Sequence, residues 1–427
     1  MTGKILVIYF HSFGHPLRKT NEQMLYCFDK FSSHLVYFLN LAFRPPKYIF
    51  DIQFDLVIFH DLLLCKRSLP RRFETIRKYA QPLKRLTGLR IATVQDEFTQ
   101  TDLLNDFLCE LDIRHIFSVA PPSEWPKIYP KIDRSRVKFD FCLTGYLDAT
   151  EIETINQLST QKLSRTIDLG YRATPIRHAL GSVGYLKVRI TEVFKEAGSK
   201  FRLKTDLSNN PKDTFYGDAW YKFLLSCKYV LGVESGASVL DRDGSIESRV
   251  QRYLKDNATA SFEEVRSECL ADVDGNLHLC VMGPRHLEAC LTRTCQILTE
   301  GEYNGILKPF IHYIPVKKDF SDIQTVLEMV VKDDLRLELV ENAYRDIVQS
   351  GKYSLEAYVQ HVLTSSLGES YKWLSISTRD RELERQNVTR EARIWRYIKM
   401  RTAVINTILR LMPAAAFKQL ERFMKNQ

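Results

Sequence analysis

The sequence predicts an α/β protein made of two doubly wound, Rossmann-like domains facing a central cleft, with a C-terminal helical tail. Three observations carry this. Short runs of Val, Ile, Leu and Phe alternate with helical stretches, the pattern of βαβ units on parallel sheets. The length of 427 residues suits two domains, or three at most. A stretch with four prolines, Val119 to Pro130, closes the first series before a second begins. The expected bounds are 1–145, 146–370 and a tail over 371–427.

Composition narrows the function classes. Hydrophobic content of 44% and charged content of 26% fit a globular chain with ample core. The nine cysteines are scattered, odd in number and without a C-x-x-C, which argues against a disulfide framework or a thiolate metal site. No run of some eighteen apolar residues suggests a membrane span, and the N-terminus enters a strand pattern directly, without a signal peptide. The expected compartment is therefore the reducing cytoplasm. The net charge of +9 favours an anionic partner without choosing among a nucleotide diphosphate, a membrane surface and a nucleic acid.

In the first domain the apolar runs are Lys4–Phe10, His34–Asn40, Phe54–Phe59, Leu89–Val94 and Arg114–Val119, with Val137–Asp148 a last strand or the connection between domains. Three of them end in titratable residues: His11, His60 and the pair Asp96-Glu97. Parallel strands put such ends on one rim, where a histidine or carboxylate can remove a proton from a hydroxyl. The alternative for Asp96 and Glu97 is capping of the helix that starts near Thr101-Asp102. His11 and His15 have metal-like spacing only on a helix, and Gly14 argues against one.

The second domain opens with Thr166–Arg172. Gly181-Ser-Val-Gly184 then enters an amphipathic helix, the arrangement whose free N–H groups and dipole can cradle a diphosphate. Arg172 and Lys187 are nearby cations able to neutralise it, or else solvated charges. Trp220, Phe223, Leu224 and Cys227 share a helix face and read as core. The strand Lys228–Val233 runs into Glu234-Ser235-Gly236-Ala237-Ser238. Asp241 and Asp243 form a D-x-D pair, read as turn chemistry rather than a metal site. Residues 246–271 read as helical, and Ser321 with Gln324 as a capping box.

The stretch GPRHLEACLTRTCQILTEGEYNGILKPFIHYIPVKKD, residues 283–319, reads as helix, buried strand, polar glycine loop and second strand. Pro284-Arg285-His286-Leu287-Glu288-Ala289, Glu300-Gly301-Glu302-Tyr303-Asn304-Gly305 and His312-Tyr313-Ile314-Pro315 resemble the donor-binding segment of group 1 glycosyltransferases of the GT-B fold. The branch most similar is that of spore-coat, capsule and O-antigen synthesis. The resemblance implies a nucleotide-diphosphate sugar as donor and a glycan or lipid-linked acceptor, with no cofactor and no metal. By position it makes Glu288 the ribose ligand and puts Arg285 and Glu300, Gly301, Tyr303, Asn304 and Gly305 near the phosphates and sugar. It also puts Glu234, Ser235 and Asp243 in the cleft. Retaining members often carry a second glutamate eight residues before the ribose glutamate; here that residue is Cys280.

The tail is different. From Ile394 onward, apolar residues recur at helical spacing among Arg393, Arg396, Lys399, Arg401 and Arg410. Residues 391–427 therefore read as a basic amphipathic helix at a membrane interface, or as a helix packed across the domains. The alternatives to glycosyl transfer are a sugar-nucleotide epimerase or phosphorylase, and a non-catalytic nucleic-acid or partner-binding protein. No helix-turn-helix, aromatic RNA platform or zinc pattern supports nucleic-acid binding. No G-x-G-x-x-G follows a strand, which disfavours a dinucleotide oxidoreductase.

Overall fold

In a computed structural model of the chain, which describes residues 2–12, 17–159, 164–174 and 177–411, two parallel sheets form. The first holds β1 (Lys4–Tyr9), β2 (Leu35–Asn40), β3 (Leu56–Phe59), β4 (Leu89–Val94), β5 (His115–Ser118) and β6 (Lys138–Phe141), in the order β2-β1-β3-β4-β5-β6. The second holds β7 (Ile167–Arg172), β8 (Thr205–Ser208), β9 (Cys227–Gly232), β12 (Cys295–Thr299) and β13 (Tyr313–Val316), in the order β13-β12-β9-β7-β8. The strands between them in sequence, β10 (Ser235–Ala237) and β11 (Leu279–Val281), make a separate antiparallel pair. Both large sheets are parallel throughout and reverse their direction of growth once, between β1 and β3 and between β7 and β9. Such switch points open crevices at the carboxyl ends of the strands.

The continuous apolar runs follow from burial on both faces. In β1, Ile5, Val7 and Tyr9 meet the helices Lys19–Phe31 and Leu355–Leu367, while Leu6 and Ile8 face the opposite core with Phe73 and Phe107. The small pair β10–β11 belongs to the second half of the sequence yet buries Ala237, Leu240, Leu277, Leu279 and Val281 in that same first-lobe core. The backbone locks there as well: Gln100 N–H donates to the Asp241 carbonyl at 2.7 Å, and Asp241 N–H donates to the Phe98 carbonyl at 2.8 Å.

Some local expectations change. The stretch 277–282 supplies β11, which lies outside the second large sheet. Residues 246–271 break into a helix Ser245–Asp256 and a second one opening at Phe262, where Ser261 and Glu264 cap each other. The box at Ser321 and Gln324 does not form, because Asp319 takes the Ser321 N–H at 3.0 Å and the helix begins later, at Ile323.

The tail helix, Thr378–Leu411, lies along β2, the exposed edge of the first sheet. Asn387 is fully buried and stands in for a missing strand. Its side chain accepts the Phe38 N–H at 2.8 Å and donates to the Phe38 carbonyl at 2.9 Å. Tyr9 donates its hydroxyl to Glu391 at 2.7 Å, and Trp395 stacks on His11 with centroids 4.6 Å apart. Through its first five turns or so, then, this helix is packed rather than free, and it closes a sheet edge that would otherwise invite pairing.

Removal of that amide leaves two buried backbone groups unpaired. Asn387→Ala is expected to cost about 2–4 kcal/mol in urea unfolding, since each orphaned group costs about 1–3 kcal/mol. A loss below about 0.5 kcal/mol, the usual surface range, would show that the edge is satisfied without Asn387.

Candidate active site

The switch point of the second sheet carries a groove. Its floor is the chain leaving β7, Tyr171 to Thr174, and the end of β9, Leu231 to Val233, followed by Ser235. Gly283, Pro284, Arg285 and His286 form one wall at the start of the helix Pro284–Leu291, and Lys187 projects from the helix Gly181–Lys200. Arg18, at the head of the first-lobe helix, reaches the same cavity of about 260 Å³. A second chamber of about 210 Å³ shares Arg18, Arg172, Thr174, Trp220, Pro284 and Arg285, and adds Lys19, Glu151, Tyr221 and Glu288. Residues from both lobes thus line one continuous groove.

Glu288 lines the second chamber of this interlobe groove. Trp220 donates its indole N–H to the carboxylate at 2.7 Å, and Arg285 lies over the Trp220 ring at 5.3 Å while donating to the Arg172 carbonyl. Burial pushes the Glu288 carboxyl up to about 7, with the indole hydrogen bond opposing and the nearby Glu151 adding to the rise. Glu151 accepts from Tyr221 and lies 3.8 Å from the Lys19 ammonium.

The cations differ in commitment. Arg172 is buried and internally satisfied. It donates to the Asp213, Tyr171 and Asp206 carbonyls at 3.0, 2.9 and 2.8 Å and to the Asp206 carboxylate at 2.7 Å, with Phe215 and Phe223 against its plane. Lys187 has no hydrogen-bond or ion-pair partner among the described residues. Burial, with Arg285 beside it, lowers its ammonium to about 8, and Asp96 across the cleft opposes that shift.

Other candidate residues lie away from the groove lining. Gly181 and Gly184 are not a loop but the first turn of a helix. The Ser182 N–H goes to Asp274 at 3.1 Å and the Val183 N–H to Ser238 at 3.2 Å, so the chain's own groups occupy that helix start. Gly181 has φ +71°, and a Cβ there would meet Ser238 Oγ at 2.3 Å. Glu234 accepts the Tyr303 N–H at 2.8 Å and crowds Gly301, where a Cβ would meet its Oε2 at 2.4 Å. Tyr303 is fully buried, Asn304 holds the Met282 N–H at 2.7 Å, and Glu300 and Gly305 are exposed. Asp243 is an exposed turn residue accepting the Ser245 N–H at 3.0 Å; its neighbour Asp241 caps the helix, through Gly244, Ile246 and Glu247.

On the first-lobe rim, His60 is buried at a helix start and its Nδ1 accepts the Leu62 N–H at 3.2 Å. His11 is buried beneath Trp395, and desolvation with Lys66 nearby lowers it to about 4. Glu97 caps no helix. It is fully buried and accepts the Val119 and Ala120 N–H groups at 2.9 and 3.0 Å, together with the Ser118 and Tyr129 hydroxyls. Asp96 is exposed, with φ +53°. Gly14 and His15 lie between or among residues outside those described. Among the described residues no cluster of three His, Cys, Asp or Glu is arranged to hold a metal ion.

Sequence reasoning missed Arg18, Lys19, Glu151 and Trp220. The periodicity that assigned Trp220 to the core is real, but this residue ends its face at the groove. The basic pair Arg18-Lys19 just after the first strand was a usable signal, since that position is a strand's carboxyl-end loop.

No protein-family model and no curated protein matches the chain. Solved structures of similar arrangement exist at low identity. A glycosyltransferase from Rickettsia africae is 11% identical, with 86% of this chain and 100% of that one covered and a TM-score of 0.44. HepE of Anabaena in complex with UDP-glucose is 10% identical, over 85% of this chain and 100% of that one, with a TM-score of 0.44. An alpha-glucosyltransferase in complex with UDP and a 13-mer DNA containing an HMU base is 10% identical, over 86% and 99%, with a TM-score of 0.47.

The raised Glu288 pKa has a definite sign in stability. The folded state holds this proton to about pH 7, above the ordinary glutamate value near 4.5, so its contribution falls as pH rises between those values. Glu288→Gln removes that loss. Relative to the parent protein, the variant is expected to gain on the order of 2 kcal/mol on going from pH 5 to pH 8. Equal pH dependence of the two unfolding curves would show that Glu288 titrates normally.

Proposed function

We propose that the chain is a glycosyltransferase that moves a sugar from a nucleotide-diphosphate sugar to a glycan or lipid-linked acceptor in cell-surface polysaccharide synthesis. The observation that carries this reading is the groove itself. Lys187, without a hydrogen-bond or ion-pair partner among the described residues, lines it together with Arg285 and Arg18, and the adjoining chamber holds a carboxylate bonded by Trp220. A buried ammonium without a counter-charge is costly unless an anion completes the site. A diphosphate supplies that anion, and the adjoining chamber suits a polyhydroxylated ring.

In this reading Glu288 accepts the ribose hydroxyls. Two hydroxyl donors favour the ionised carboxylate, so nucleotide binding lowers its pKa and releases a proton near neutral pH. The bond between the anomeric carbon and the diphosphate oxygen breaks, and the charge that grows on the leaving oxygen falls among Lys187, Arg285 and Arg18. Arg172 contributes to the field but keeps its own partners. Cys280 is buried with its thiol raised to about 11, so it offers neither charge nor a strong acceptor in place of the glutamate that retaining relatives carry. On the acceptor side, Asp96 is the one exposed residue among the rim candidates His11, His60, Asp96 and Glu97.

The expected nucleotide response is direct. One of UDP, GDP, dTDP or ADP at millimolar concentration should raise the melting temperature by mass action. Lys187→Ala and Arg285→Ala should each weaken that ligand about 10- to 100-fold, the effect of a charge-assisted hydrogen bond, and Glu288→Ala should weaken it similarly. Absence of a shift with all four nucleotides would remove the basis of the assignment.

The tail supports a peripheral membrane contact in the same reading. No helix among the described residues is long and apolar enough to cross a membrane. Beyond the packed part of the tail helix, Tyr397, Met400, Val404 and Ile408 are exposed on one stripe, and Arg393, Arg396, Lys399 and Arg401 lie among them. No acidic residue occurs between Glu391 and Glu421. Such a face suits an anionic lipid surface. The full chain should float with phosphatidylserine-rich vesicles and not with phosphatidylcholine vesicles, and Met400→Glu with Val404→Glu should abolish flotation. Equal recovery with both lipids would rule out this contact.

A further inference from the structure

The loop that leaves β4, residues 95–100, is held more firmly than a surface loop requires. Asp96 and Gln100 both have left-handed backbones, with φ of +53° and +51°. L side chains adopt that conformation when their surroundings impose it, and such residues gather at functional sites. Here the imposing group is Arg67. Its side chain is fully buried, and its guanidinium donates to the Leu64, Gln95 and Thr99 carbonyls at 2.8, 2.9 and 3.0 Å and to the Asp96 carbonyl. No carboxylate bonds it. From the other side, Glu97 anchors the loop to the end of β5, and Gln100 is tied to Asp241 of the second lobe.

The ionisable group of the loop that these contacts leave free, among the described residues, is the Asp96 carboxylate. It is exposed and has no hydrogen-bond or ion-pair partner among the described residues. A guanidinium sunk among carbonyls is a poor way to gain stability, because its desolvation offsets most of what its hydrogen bonds return. It is a good way to fix a backbone. Asp96 and Lys187 are also close enough to influence each other electrostatically, although they belong to opposite lobes.

We propose that Asp96 takes the proton from the acceptor hydroxyl and that Arg67 is the residue that positions it, an inference that rests on the donor-groove reading above. As the acceptor oxygen bonds to the anomeric carbon, the bond from that carbon to the diphosphate breaks. The electron pair leaves with the nucleoside diphosphate, toward Lys187 and Arg285, and the acceptor proton ends on the Asp96 carboxylate. Asp96 is then a catalytic residue, whereas Arg67 touches no substrate and acts through the carbonyls at 95, 96 and 99.

The test uses the full chain. Release of nucleoside diphosphate from UDP-glucose, GDP-mannose and dTDP-glucose is followed with octyl glycosides and water as acceptor probes, in parallel with binding of UDP, GDP and dTDP. Asp96→Asn is expected to lower kcat by about 100-fold or more, the range of a lost general base. Its melting temperature should stay unchanged and it should still bind the nucleotide. Arg67→Lys keeps the charge and loses the fork, so kcat should fall while nucleotide affinity holds. The deciding comparison is Arg67→Lys placed on Asp96→Asn. A residue acting through Asp96 adds no further loss there, because coupled residues are non-additive. Full additivity, an unchanged kcat in Asp96→Asn, or no release from any donor by a chain that binds its diphosphate would each overturn this inference and leave donor binding standing. Failure of the parent chain to bind any of the three diphosphates would overturn both readings.

Discussion

The structure depends on an interlock. Segments that follow the second sheet's central strand do not stay with that sheet: Ala237, Leu240, Leu277, Leu279 and Val281 are buried in the first lobe's core. The exchange of hydrogen bonds between Phe98, Gln100 and Asp241 ties the same junction through the backbone. A one-residue shift there would move every apolar side chain in β10 and β11, so the joint has a single favourable register. The rims of the two sheets are thereby set opposite each other before any ligand arrives. Groups supplied by different lobes, Arg18 and Lys19 from one and Arg285 and Glu288 from the other, can then share a groove without the binding free energy having to assemble them.

Within that frame the charges are divided by function. Arg172 and Arg67 are buried and Arg165 is half-buried, and each guanidinium is surrounded by backbone carbonyl oxygens. They act as brackets for backbone in and around the ends of strands. Lys187 has the opposite character: it is shielded enough to lose affinity for its proton, and among the described residues no hydrogen-bond or ion-pair partner holds it, Asp96 acting on its charge only from a distance. The contrast separates cations that hold the fold from a cation that awaits an anion. Charge content and proximity to the groove alone would not distinguish them, since Arg172 lines the cavity as fully as Lys187 does.

How far the sequence could be read follows from how local each cause is. Parallel strands buried on both faces appear as apolar runs, so strands such as β1 to β4, β9 and β12 could be placed from them, whereas β6 has only four residues of alternating character in Lys138–Phe141 and β8, TDLS, has no apolar run. The helix at Pro284 announced itself through proline at its first position. Asn387 could not be read, because its partner is the backbone of Phe38 on a strand 349 positions away in sequence. Trp220 was hidden by its own periodicity, which is that of a core residue. Asp96 and Glu97 are adjacent and chemically alike, yet one is exposed and the other is fully buried on the amides that follow β5. Only the left-handed turn at Asp96 separates them, and no sequence pattern encodes it.

Two glycine-bearing segments that sequence alone presents as phosphate cradles prove to be cradles for the chain's own carboxylates. Asp274 fills the helix start at Gly181 and Ser182, and Glu234 fills the bend at Gly301 to Tyr303. The physical logic of an anion at free N–H groups is therefore respected, but the anion is internal. It follows that charge recognition in the groove falls to side-chain cations more than to backbone amides. Backbone amides hold an anion with little dependence on pH. A lysine whose ammonium has been brought down to about 8 does not. In the proposed reading, the hold on a diphosphate depends on proton occupancy at two places, Lys187 and Glu288, both of which are shifted toward neutral pH.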